Sequence, residues 1–181
     1  MQVSGKLVIL ITLGVALAMS GGAWWYRFEA SRRAADFWGP EAARLLVDSD
    51  RVELVVLAES PAEDATDAVA GLPVAARHDL TGRRGLTHLR HALTQDAHFD
   101  WSGRRTTTLA ANGPWKYALR FSGGDATLVV LLPDGMHELG RLAPGAGGAE
   151  ALVHVLPCPR LAGPLRRYFT DEGLLSGKPP R

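Results

Sequence analysis

Residues able to do chemistry are concentrated in one stretch, GLTHLRHALTQDAHFDW (85–101), which holds three of the chain's six histidines. His78 precedes it, and His137 lies in the second half. Clustered imidazoles are the commonest protein ligands for zinc and related metals. His88 and His91, three residues apart on a helix, are able to share one ion, with His78 or His137 as remote ligands brought in by the fold. The pattern H-E-x-x-H is absent, and no Cys or Glu completes a tetrahedral set nearby. On a helical wheel Leu86, Leu89, Leu93 and Ala97 fall on one stripe, while His88, His91 and His98 fall opposite. The stretch therefore reads first as a helix that packs through its leucines and turns its histidines outward. No metal or cofactor is expected.

The other nucleophile is Cys158, the single cysteine, between two prolines in LPCPR. An activated thiol needs a nearby base or a helix N-terminus. On a strand, His154 points the same way but sits about 13 Å off. Cys158 is read as a small buried hydrophobe. No G-x-S-x-G elbow, phosphate-binding glycine loop, G-x-G-x-x-G turn or haem-attachment motif is present. No catalytic residue is assigned.

The elements that position these residues begin with LVILITLGVALAMSGGAWWY (7–26), a run without charge. As a helix it spans about 30 Å, the thickness of a bilayer core. Trp24, Trp25, Tyr26 and Arg27 lie where amphipathic rings and a cation meet the headgroups. Gly14, Ala18 and Gly22 share one face and are small enough for two such helices to approach, so a homodimer through the span is compatible with the sequence. A cleaved leader with a site at Ala16-Leu17-Ala18 or Gly21-Gly22-Ala23 is the alternative. Lys6 flanks one side and Arg27, Arg32 and Arg33 the other, which leaves orientation open.

Downstream, RFEASRRAADF predicts a helical extension with Glu29 supporting Arg33, broken at Gly39-Pro40. PEAARLLVD is a second helix, and RVELVVLAE a strand covered on both sides. Residues 60–72 read as an acidic surface loop with one helical turn at Pro61, and PVAARHDL as a weaker strand. In WKYALRF, Trp115, Tyr117, Leu119 and Phe121 alternate with Lys116, Ala118 and Arg120. Gly123-Gly124 marks a hairpin turn, TLVVLL a central strand, Pro133-Asp134-Gly135 a second turn, and MHELGRL and ALVHVL two further strands. The ring-bearing face of WKYALRF carries no interleaved cation, so nucleic-acid binding is not expected. PLRRYFTDEGLL closes the domain as a helix, with Phe99 and Trp101 as core anchors upstream.

The expected architecture is α+β: a single transmembrane helix, then an antiparallel β-meander packed against helices. Residues 1–36 form the anchor and its extension, 37–172 the domain, and 173–181 a disordered tail. With 181 residues and one cysteine, the chain has room for one core and no internal disulfide. A net charge of +1 supplies no long-range field for polyanions. Charge is uneven locally, acidic over 36–67 and basic over 77–105, which reads as solvated surfaces that offset each other. Its alanine, arginine and glycine bias fits a GC-rich bacterial gene. The expected role is a membrane-anchored, non-enzymatic module that binds another protein. The alternatives are a metal-binding or enzymatic domain built on the histidines, or a ligand sensor with a pocket between helix and sheet.

Overall fold

The computed structural model describes residues 5–58, 68–69, 71–109, 113–142 and 151–175. The expected turn at Pro61, the APGAGG loop and the last residues of the tail lie outside them. Helix α1 runs Gly5–Glu29, and Val8–Tyr26 within it is long and apolar enough to cross a membrane. A two-residue break follows, then α2 over Arg32–Asp48. The break was not expected. It puts Glu29 and Arg33 on different elements, so they do not form the supporting pair within one helix.

At the Gly39-Pro40 break α2 bends as predicted: Gly39 is left-handed (φ 72°), and Pro40 opens the second segment. The bend keeps one apolar stripe continuous, with Ala34, Phe37, Trp38, Ala42, Leu45 and Leu46 all buried. Among the described residues the remaining α-helices are α3 (Leu86–Leu93) and α4 (Pro159–Asp171). The latter begins five residues before the expected Pro164, with Pro159 in its first turn.

Eight antiparallel strands form one curled sheet: β1 Arg51–Leu57, β2 Ala68–Val69, β3 Leu72–Asp79, β4 Arg105–Thr108, β5 Trp115–Gly123, β6 Ala126–Pro133, β7 Glu138–Leu142 and β8 Leu152–Pro157. Their order is β2-β3-β1-β5-β6-β7-β8-β4, so the predicted meander β5 to β8 is present and β1 joins its first strand. Strands β2 and β4 were not expected.

Apolar side chains fill both faces. Helices α2, α3 and α4 cover Val52, Leu54, Tyr117, Leu119, Phe121, Leu128, Val130 and Leu132. The opposite face gathers Val55, Leu57, Ala118, Leu131, Val153 and Val155. β6 alternates between the two clusters residue by residue, which explains why its sequence is apolar throughout.

Two local details depart from the expected pattern. A bulge between Trp115 and Tyr117 shifts the register, so Trp115 packs with the second cluster and not beside Tyr117, Leu119 and Phe121. Its ring lies over Gly140, where a Cβ would meet ring carbon Cη2 at 2.8 Å and Val153 Cγ1 at 2.6 Å. In the second turn the left-handed residue is the buried Met136 (φ 52°), and not Gly135.

Candidate functional site

Helix α3 ends at Leu93, one turn earlier than the wheel assumed, and the chain passes into a 3-10 turn over Asp96–His98. Leu86, Leu89 and Leu93 are buried as expected. Ala97 leaves the stripe and is exposed, and His98 leaves the histidine face. The cause is tertiary. Asp96 turns toward the start of α2, where its carboxylate accepts from the backbone N–H of Arg33 (3.1 Å) and Ala34 (2.7 Å). Its own N–H donates to the Ala30 carbonyl at 3.0 Å. Ser31, the local N-cap residue, makes no side-chain cap, so a residue from a distant element caps this helix.

The histidines are dispersed accordingly. His88 and His91 are exposed on α3, and the Gln95 amide contacts His91 Nε2 at 2.6 Å. His98 Nδ1 lies 2.9 Å from the Ala92 carbonyl oxygen. His78 sits on β3 opposite Leu54, and His137 is exposed after the second turn. Among the described residues no three His, Cys, Asp or Glu side chains gather where they could hold a metal. Cys158 is fully buried, its thiol 3.5 Å from the Met136 carbonyl, and burial together with Glu138 pushes it up to about 12. Such a thiol is not a thiolate at neutral pH.

A cavity of about 560 Å³ opens between α3 and α4, between two helices and not between helix and sheet. Leu89, Ala92, Leu161 and Leu165 make its apolar floor, with His88, Arg167 and Asp171 at the rim. Gly85 closes against Tyr168: it is left-handed (φ 82°), and a Cβ there would meet the tyrosine ring at 2.8 Å. The Tyr168 hydroxyl is buried without a hydrogen-bond partner, and burial raises its pKa. His88 is thus the one member of the predicted histidine set that borders this cavity.

At the end of α1, Trp24, Trp25 and Tyr26 are 63–74% exposed, and Trp24 stacks on Phe28 at 6.0 Å. Nothing lies within 4 Å of the Cβ positions of Gly14 and Gly22, and Ala18 between them is exposed.

Sequence reasoning missed the buried Glu53, whose side chain is 8% exposed with Arg51 at 2.8 Å, Arg77 at 3.7 Å and Arg120 at 3.9 Å. It also missed the anchoring of Arg90, which donates to the carbonyls of Val47 and Ser49 at the end of α2. The uneven charge along the chain is in part resolved by these contacts. Arg51 and Arg77 meet Glu53, and Arg105 meets Glu138 at 2.6 Å. Comparison with protein-family models, curated proteins and solved structures found no match for this chain.

Proposed function

We propose that this chain is a single-pass membrane protein whose α+β domain is a non-enzymatic module for binding another protein. The carrying observation is that Val8–Tyr26, with mean hydropathy 1.8, buries none of its surface in the domain. An apolar helix of that size standing free in water is costly, and a bilayer removes the cost over its whole length. Just beyond the segment, and downstream of both alternative cleavage sites, the chain is fixed to the domain. The Ala30 carbonyl and the first N–H groups of α2 are held by Asp96, so the anchor's end is wired into the fold.

The binding surface on this reading is the α3–α4 groove, apolar in its floor and rimmed by His88, Arg167 and Asp171. The test places a photo-crosslinking residue at Arg167, and at Asp125 on the distant β5–β6 turn as control, in the full chain at native expression. Crosslinks to a second protein are expected from position 167 only. Products identical at both positions, or none beyond this chain itself, refute the reading. Resistance of the full chain to carbonate extraction tests the anchor separately, and a reporter fused after Arg181 reads the side on which the domain lies.

A second reading, a small-ligand sensor, is favoured by one observation: the groove's volume of about 560 Å³ matches that of small-molecule pockets. Apolar ligands that raise the melting temperature without any partner protein would favour it.

A further inference from the structure

At the far end of the sheet the pairing register lines up three polar residues. Arg141 on β7 lies opposite His154 on β8, and His154 lies opposite Thr106 on β4. Paired residues in antiparallel strands share a face. This is the helix-covered face, because Leu139 and Leu156, two positions from Arg141 and His154, belong to the core beneath the helices. Thr106 Oγ1 is 3.0 Å from His154 Nδ1. Arg104, just before β4, reaches the same end, its guanidinium carbon 5.4 Å from the centre of the Phe37 ring.

Arg141 is held by the bend of α2. Its Nη1 donates to the Phe37 carbonyl, and its Nη2 would lie 3.7 Å from a Cβ placed on Gly39. Its Nε is buried and has no hydrogen-bond partner. An orphaned buried donor is unfavourable, more so on a charged group. Elsewhere on the sheet the arginines meet carboxylates: Arg51, Arg77 and Arg120 at Glu53, and Arg105 at Glu138. Among the described residues no carboxylate forms an ion pair with Arg104 or Arg141. Burial and the neighbouring Arg104 charge pull Arg141 below its ordinary value, and burial with both arginines does the same to His154.

We propose that Arg104, Arg141, His154 and Thr106 form a binding site for a phosphate-type oxyanion. Two guanidinium charges match the one to two negative charges of a phosphomonoester, whereas a single carboxylate leaves one of them uncompensated. The side-on edge of Arg141, Nε with Nη2, is the fork that binds two oxygens at once, and because Nε is buried in the free protein the oxyanion engages it by a side-chain shift that opens this edge. Arg104 approaches from the exposed side, and the Thr106 hydroxyl supplies a neutral partner.

The chemistry is shared by a free phosphate ester and a phospholipid headgroup, and two arms separate them. In the first, the full chain in neutral detergent is titrated calorimetrically with inorganic phosphate at constant ionic strength. In the second, the same chain in phosphatidylcholine vesicles is compared with and without phosphatidic acid. Saturable binding on the order of 0.1–1 mM in the first arm supports the site with a free oxyanion as ligand. A response confined to phosphatidic acid supports it with a lipid headgroup. Arg104→Gln, at an exposed position outside the core, weakens either response about tenfold or more, and Arg141→Lys does so by removing the fork while keeping the charge. Absence of saturable binding in both arms overturns the proposal, as does an Arg104→Gln variant that binds like the wild type.

Discussion

Asp96→Ala tests how the anchor is joined to the domain. The carboxylate accepts from two backbone N–H groups at the start of α2, and that of Ala34 belongs to a fully buried residue. Water can replace the acceptor at Arg33, where the bond is exposed, but is hindered at Ala34. Loss of an N-cap costs about 0.5–2 kcal/mol, and loss of a negative charge at a helix N-terminus about 0.3–1 kcal/mol more. The two ranges sum to an expected destabilisation of about 0.8–3 kcal/mol, which at about 2–4 °C per kcal/mol for a domain of this size lowers the melting temperature by roughly 2–12 °C. Asp96→Asn keeps one acceptor oxygen and is expected to lose about half as much. Urea denaturation of the full chain in neutral micelles, followed by the circular dichroism of the β-sheet, measures the loss. Amide exchange at Ala34 locates it, rising in Asp96→Ala while exchange in β5 and β6 follows only the global change. A loss under about 0.5 kcal/mol, or unchanged protection at Ala34, refutes the capping argument.

Three further outcomes follow from the packing and charges. Gly140→Ala forces a methyl against Trp115 and Val153 and is expected to cost about 1–3 kcal/mol in denaturant, part of it recovered when Trp115→Ala is combined with it; strict additivity of the two would contradict the described contact. Glu53→Gln leaves Arg51, Arg77 and Arg120 without their shared carboxylate. Because those arginines are partly solvated, the expected loss is about 1–2 kcal/mol, shrinking in high salt. His154 titrates below the ordinary 6.5 because burial and then Arg141 and Arg104 disfavour its cation. A folded-state value lower than the unfolded one means a contribution fully present above pH 6.5 and lost as pH falls through the folded value. His154→Gln should flatten that part of the stability–pH profile, and an imidazole titrating at or above 6.5 by NMR would contradict it.

What the sequence made legible was set by local signals. The alternation in β5 and the double-sided apolar run of β6 are short-range patterns that stand where they were read, while the hairpin turn falls one residue later, at Gly124-Asp125, with Gly123 closing β5 opposite Ala126 and only Gly124 left-handed. β4 escaped because RTTT is exposed at all four positions, so an edge strand held only by β8 carries no buried face to alternate. The phase of Trp115 was misread because one bulge inverts the side-chain period, and no residue type announces it. α3 was read too long because Asp96 satisfies a helix start some sixty residues upstream, a demand invisible from its own neighbours. The same limit hid the oxyanion cluster. Thr106, Arg141 and His154 are aligned by strand register, with Arg104 just before β4, whereas of the histidines close in sequence only His88 and His91 remain on one element.

The burial of Cys158 has a practical consequence for probing the molecule. With its only thiol sealed in the core and raised to about 12, the wild-type chain is already a silent background for maleimide chemistry. A cysteine introduced at Gly5, Ala23 or Asp125 becomes the sole reactive label. Fluorophores, spin probes and membrane-impermeant reagents can then report on either end of the apolar helix, or on the domain, without a native residue first being replaced.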